Sequence, residues 1–168
     1  ALDPAGVRQI TIDGILVQLP LPRGIDQEAV LLAVDPRTDV DGFHPANLGR
    51  LVAGRPRFVP CTPKGILRLL EHYELPTAGK RVAVVGRSVI VGRPVSLLLS
   101  LKGAFGDATV TMCHSATREL AAVTSSCEII VAAMGVPRAI GAAHIASGAV
   151  VIDVGINRVD DPTTPKGY

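Results

Sequence analysis

Between residues 80 and 155, short apolar runs alternate with stretches whose apolar residues recur at helical spacing. Four runs predict strands: RVAVVG (81–86), DATVTMCH (107–114), EIIVAAMG (128–135) and AVVIDVG (149–155). GRPVSLLLSLKG (92–103) predicts a helix, residues 116–125 a second, and IGAAHIASG (140–148) a short helix or turn. Strand–helix–strand alternation at this spacing requires right-handed crossovers, and so an α/β fold with a doubly wound parallel sheet. Ligands of such sheets sit beyond the carboxyl ends of the strands. Those ends carry Gly86-Arg87-Ser88, His114-Ser115, Met134-Gly135 and Gly155-Ile156-Asn157.

Upstream, CTPKGILRLLEHYEL (61–75) predicts a helix, with Thr62 as N-cap and Pro63 at the first helical position. Ile66, Leu69, Leu70 and Tyr73 fall on one face. IDGILVQL (12–19) predicts a strand running into the Pro-rich turn LPLPRG, and DQEAVLLAV (26–34) a short helix capped by Asp26. DPRTDVDGFHP (35–45) is a loop, and NLGRLVAG (47–54) a short helix or turn. Composition changes near Arg55–Pro60, which places a boundary between residues 1–57 and 58–168. The first part is too short to hold its own core and reads as part of an α/β domain.

The chain has 168 residues, a net charge of +2 and only 3% aromatic residues, with no Trp. That balance gives neither the positive field nor the stacking platforms of a nucleic-acid binder. No apolar run reaches bilayer length, and ALDPAGVRQ does not resemble a signal peptide. Cys61, Cys113 and Cys127 are odd in number and widely spaced, so neither a disulfide framework nor a metal site is expected. A reducing compartment, the cytoplasm or a reducing organelle such as the mitochondrion, fits them.

The chemistry concentrates in GRSVIVGRP (86–94), which follows an apolar strand and precedes a helix. Unpaired backbone N–H groups and the helix dipole favour a phosphate-bearing cofactor at such a turn. The spacing Gly86, Ser88, Gly92 is a variant of the dinucleotide fingerprint. Arg87 can face the 2′-phosphate of NADP. The second strand ends in His114-Ser115, where NAD enzymes place a carboxylate that would repel that phosphate. Both positions point to NADP. The competing reading is that Gly86 and Gly92 serve only close strand–helix packing, with Arg87 a solvated residue and His114 a hydrogen-bonded surface side chain.

Seven segments together resemble the bifunctional methylenetetrahydrofolate dehydrogenase/cyclohydrolase family: GILVQLPLP (14–22), DVDGFHPANLGRL (39–51), PCTPKGILRLL (60–70), VVGRSVIVGRPVSLLL (84–99), ATVTMCHSATREL (108–120), EIIVAAMGVP (128–137) and GAVVIDVGINRV (148–159). The resemblance implies a Rossmann-like NADP domain joined to part of a folate-binding catalytic domain. It implies oxidation of 5,10-methylenetetrahydrofolate to the methenyl cation and hydrolysis of that cation to 10-formyltetrahydrofolate. It also implies homodimers and a role in the one-carbon metabolism that feeds purine biosynthesis.

By the same resemblance Gln18 is the amide that holds the catalytic lysine, and Asp41 is the carboxylate that binds the pterin ring. Gly86, Arg87 and Ser88 form the cofactor turn, with Ser115 near the 2′-phosphate and Ile156 at the nicotinamide carboxamide. His114 and Gly135 are cofactor-side candidates at their strand ends. Thr62 either lines the cleft or only caps its helix. From residue type alone, Asp41 has a competing reading as a loop cap, and Gln18 reads equally as a polar strand end. The Tyr-x-x-x-Lys motif that carries the family's catalytic lysine does not occur in these residues, nor does PGGVGPMT. The chain is therefore expected to be cut at both ends. The alternative to a folate enzyme is a truncated, inactive NADP-binding fragment.

Overall fold

The computed structural model describes residues 12–103, 105–157 and Thr163. The chain divides into two compact units, Ala1–Pro60 and Cys61–Tyr168.

In the first unit, α1 (Gln27–Ala33) begins on Asp26, whose carboxylate accepts from the N–H groups of Glu28 at 2.9 Å and Ala29 at 3.2 Å. These are two of the donors that a helix start leaves without carbonyl partners. The next helix, α2 (Pro45–Val52), starts earlier than the sequence suggests. His44 caps it through Nδ1, which accepts from Ala46 N–H at 3.1 Å, and Pro45 occupies the first turn without a donor to satisfy. The strand expected over 12–19 does not form. Its pairing among the described residues is one isolated parallel bridge from Ile15 to Asp39. Pro20 and Pro22 follow directly and have no N–H with which to extend a ladder. Leu51 and Pro60 are the buried apolar side chains among this unit's described residues.

The second unit opens with α3 (Cys61–His72). Thr62 is not its N-cap: the helix is already formed at Cys61, and Thr62 lies exposed in the first turn. Pro63 is the third helical residue, still among positions whose N–H would go unpaired. The buried stripe is Pro63, Ile66 and Leu70. Leu69 and Tyr73, expected on the same face, are 49% and 66% exposed. The helix stops at His72 rather than residue 75. Glu74 adopts a positive φ of 53°, and Leu75 N–H returns to the Leu70 carbonyl at 2.9 Å.

Strands β1 (Arg81–Val85), β2 (Thr109–Cys113), β3 (Ile129–Ala132) and β4 (Val150–Asp153) form one parallel sheet in the order β2-β1-β3-β4. Helix α4 (Gly92–Ser100) joins β1 to β2, α5 (Leu120–Ser125) joins β2 to β3, and a 3₁₀ turn (Ala142–His144) lies between β3 and β4. The parallel, helix-covered sheet is the one the alternating pattern predicts. Helix α5 starts four residues late because His114 and Thr117 close a turn of their own. Thr117 Oγ1 accepts from His114 N–H, and Thr117 N–H donates to the His114 carbonyl, each at 2.8 Å.

The two central strands are buried on both faces. Val82, Val84, Ile129 and Val131 pack with Ile66 and Leu70 of α3 and Val95 and Leu99 of α4. On the opposite face, Val85, Ile130 and Cys113 meet Leu120 and Val123 of α5 together with Ile140 and Ile145. This explains the unbroken apolar runs, since a strand covered on both sides has no position to leave polar. Leu70→Ala should therefore cost about 2–5 kcal/mol. Leu69→Ala, one residue away on the exposed side, should stay within about 0.5 kcal/mol. Urea unfolding of the two variants checks this; equal losses would place the wrong face inward.

Candidate functional site

The strand order reverses between β1 and β3. The chain leaves β1 toward β2 on one side, while β3 pairs on the other. Such a reversal opens a crevice beyond the carboxyl ends of the two strands. Gly86 lies there. Its N–H donates to the Cys113 carbonyl at 2.9 Å, and its φ is 137°, a backbone that favours glycine. A Cβ on Gly86 would lie 2.2 Å from the Ala133 carbonyl oxygen. A Cβ on Gly92 would lie 2.1 Å from the Gly86 carbonyl oxygen. Backbone meets backbone at both places, so α4 starts directly against the end of β1. The packing explanation for these glycines holds, and the same approach leaves the helix N-terminus facing the crevice.

Two side chains complete this turn. Ser88 Oγ accepts from Val91 N–H at 3.1 Å and Gly92 N–H at 3.4 Å, while its carbonyl accepts from Arg93 N–H at 2.9 Å. With its oxygen so engaged, the hydroxyl proton is left to donate outward. Arg87 is exposed and forms no ion pair among the described residues. An unpaired guanidinium beside a helix start attracts anions through both its charge and its fork of donors.

After β2, His114 is half-buried and Nδ1 accepts from Ala116 N–H at 3.2 Å. In this tautomer, assigned from the hydrogen-bond network, Nε2 carries the proton. His114 thus serves its own turn with one nitrogen. Ser115 beside it is exposed. Gly135 is exposed, and a Cβ there would meet nothing within 4 Å, so packing does not explain that glycine. Ile156 is 98% exposed.

A cleft of about 170 Å³ lies at the ends of β3 and β4, lined by Met134, Val136, Arg138, Asp153 and Asn157 among others. Sequence reasoning placed Asn157 at a strand end but missed Arg138 and Asp153. Their signal was position, since they flank the Gly135 and Gly155–Ile156 strand ends. Gly155 is also required by packing, as a Cβ would lie 2.7 Å from the Met134 carbonyl oxygen.

The first unit holds the other two candidates. Gln18 is exposed, and its Nε2 donates to the Leu19 carbonyl at 3.1 Å. Asp41 is half-buried, and its carboxylate has no hydrogen-bond partner among the described residues. Loop capping, the competing explanation for Asp41, is performed by Asp39. Burial, aided by the negative charge of Asp39, raises the Asp41 carboxyl above the usual carboxylate range. The bridge from Ile15 to Asp39 brings the segments of Gln18 and Asp41 side by side. Contact there is tight: a Cβ on Gly14 would lie 2.5 Å from Val40 Cγ1.

A doubly wound parallel sheet whose switch point carries a glycine-packed turn, a helix N-terminus and an unpaired arginine defines a dinucleotide-binding domain. Residues 60–167 match the NAD(P)-binding domain of tetrahydrofolate dehydrogenase/cyclohydrolase, and the chain belongs to that family. The bifunctional protein FolD of Desulfovibrio desulfuricans is 59% identical over 150 residues, which are 89% of this chain and 53% of that protein.

Among solved structures, the Campylobacter jejuni FolD methylenetetrahydrofolate dehydrogenase/cyclohydrolase is 40% identical with a TM-score of 0.83, covering 93% of this chain and 52% of its own. The Trypanosoma brucei methylenetetrahydrofolate dehydrogenase-cyclohydrolase, complexed with NADP and an inhibitor, is 42% identical with a TM-score of 0.84 at the same coverage. The chain spans about half the length of the curated relatives it matches. No helix of the described residues is long and apolar enough to cross a membrane.

Two outcomes follow. Gly92→Ala should destabilise the second unit by about 1–3 kcal/mol or more and weaken dinucleotide binding, because the added carbon meets rigid backbone. Thermal unfolding with and without cofactor checks this, and a wild-type melting curve would contradict the packing.

The raised Asp41 carboxyl holds its proton more tightly in the folded chain than in the unfolded one. Its contribution to stability is present below the ordinary carboxylate pKa and is lost as pH rises through the raised value. Asp41→Asn should accordingly raise Tm at neutral pH, and the gain should vanish in acid. An unchanged Tm at neutral pH would show that Asp41 ionises without cost.

Proposed function

We propose that this chain supplies the cofactor turn and part of the folate site of an NADP-dependent 5,10-methylenetetrahydrofolate dehydrogenase that also acts as 5,10-methenyltetrahydrofolate cyclohydrolase. The observation that carries the reading is the unpaired Arg87 at the β1 turn, with no carboxylate at the end of β2. NAD-selective sites place an acid at that strand end to accept from the ribose hydroxyls. A guanidinium at the end of β1, with Ser115 and His114 after the end of the paired strand β2, suits a 2′-phosphate instead.

The donor set fits the cofactor. The Ser88 hydroxyl proton and the positive end of the α4 dipole would face the pyrophosphate, since Ser88 already takes the first N–H groups of that helix, and Arg87 and Ser115 would hold the 2′-phosphate. Gly135 and the backbone at Ile156 would border the nicotinamide, which when bound supplies the hydride acceptor. In the first unit, the Asp41 carboxylate offers two acceptors to the adjacent N–H donors of a pterin ring, a planar bidentate match. Gln18 would hold a lysine amine through a neutral amide, without fixing its charge.

The dehydrogenase step removes a hydride from the methylene carbon and leaves a cation shared by N5 and N10. Water then adds to that carbon, the bond to N5 breaks, a proton is lost, and the 10-formyl product remains. Homodimeric assembly, a cytoplasmic location and a role upstream of purine biosynthesis accompany this reading, supported by the family pattern.

The full-length gene product, supplied with 5,10-methylenetetrahydrofolate, should form NADPH faster than NADH. Arg87→Ala should weaken NADP⁺ about 10–100-fold, the worth of a charge-assisted phosphate contact, and leave NAD⁺ nearly unaffected. Equal loss for both cofactors would overturn the phosphate assignment. NADP⁺ binding without turnover of any folate would reduce the chain to a cofactor-binding module.

A further inference from the structure

We propose that Asp39 is the positioning residue of the folate site: it clamps the loop so that the neighbouring Asp41 carboxylate is presented without a partner. The inference rests on the reading of Asp41 as the pterin anchor. Asp39 is 5% exposed, and both of its carboxylate oxygens are used. Oδ1 accepts from Phe43 N–H at 3.2 Å. Oδ2 accepts from His44 N–H at 2.8 Å and from Asn47 Nδ2 at 2.8 Å.

The backbone of the same residue closes the other side of the loop. Asp39 N–H donates to the Asp35 carbonyl, and Gly42 N–H donates to the Asp39 carbonyl, each at 3.1 Å. Asp41 is thus the third residue of a turn closed from 39 to 42. The chain beyond that turn is gripped at 43, 44 and 47 by the Asp39 side chain. Gly42 has a φ of 68°, and a Cβ there would lie 3.1 Å from the Phe58 carbonyl oxygen, so the turn has little freedom to shift.

The clamp needs a carboxylate. Asparagine at 39 would aim its NH₂ at a backbone N–H, because both oxygens now face donors. Asn47 completes the device. Its Nδ2 spans Asp39 and the Pro36 carbonyl at 2.9 Å, while its own buried Oδ1 has no partner. Flipping that amide would turn an oxygen toward two acceptors, so the orphaned oxygen is the cost of holding Asp39. Asp39 saturated with donors and Asp41 bare of them divide the labour of two acids two residues apart. One builds the loop, and the other is left for a ligand.

The test is a double-mutant cycle in the full-length gene product, reading tetrahydrofolate affinity, NADP⁺ affinity and the KM and kcat for 5,10-methylenetetrahydrofolate. Asp39→Asn should weaken tetrahydrofolate at least about tenfold, the scale of losing hydrogen bonds to a charged group, and raise the folate KM more than it lowers kcat. NADP⁺ affinity should hold. In an Asp41→Ala background the same change should have little further effect on tetrahydrofolate, because the group it positions is gone.

Should Asp39→Asn fail to fold, Asn47→Leu removes one donor from the clamp and should show the same pattern at smaller size. Wild-type tetrahydrofolate affinity in these variants would overturn the proposal, as would losses additive with Asp41→Ala or a parallel loss of NADP⁺ affinity. If Asp41→Ala itself leaves tetrahydrofolate binding intact, the pterin-anchor reading fails first and separately.

Discussion

The cofactor turn depends on a backbone-to-backbone approach at the switch point of the sheet. Gly86 sits against Ala133 at the end of the neighbouring strand, and Gly92 sits against Gly86. Neither position has room for a single carbon. That closeness starts α4 directly beyond β1, with Ser88 rather than a residue of the helix satisfying its first donors. The helix is held by Val95 and Leu99, which are buried in the core it shares with α3 and β1. The position of the α4 start is therefore a consequence of core packing, and Arg87 adds charge beside a geometry already set.

The first unit is organised by polar contacts more than by a core. Apart from Leu51 and Pro60, its buried described side chains are Asp39 and Asn47, tied to each other and to the backbone around them. Burying a carboxylate is unfavourable unless its oxygens are satisfied, and here three N–H donors do so. Asp41 has no such donors, and its carboxyl is pushed upward by burial and by the Asp39 charge. A loop that stabilises one acid and leaves its neighbour unsatisfied is arranged for something other than its own stability.

The doubly wound sheet was legible because β1 and β3 are covered on both sides and so carry unbroken apolar runs. The run at 12–19 misled for the same reason. Apolar residues signal a strand only if a partner strand exists, and among the described residues this run meets only the single bridge from Ile15 to Asp39. Thr62 has the composition of a cap but sits within the first turn, since helix starts are decided by geometry that residue type alone does not contain. The candidate turn was legible as far as placement goes: Gly86, Arg87 and Ser88 do follow the end of β1. What Arg87 pairs with, and which acid of DVDGF is consumed by the loop, are relations across space. Asp39 and Asp41 are interchangeable as letters and opposite as neighbours in the fold.

The central claim is that the β1 turn and the start of α4 hold the phosphates. The most direct measurement is a backbone amide chemical-shift map of the full-length gene product titrated with NADP⁺. The account predicts large shifts at Ser88, Val91 and Gly92, with a second group at Arg87, His114 and Ser115. Titration with NAD⁺ should reproduce the first group and leave the second nearly still. Shifts concentrated away from the carboxyl ends of β1 and β2, or identical for the two cofactors, would contradict it.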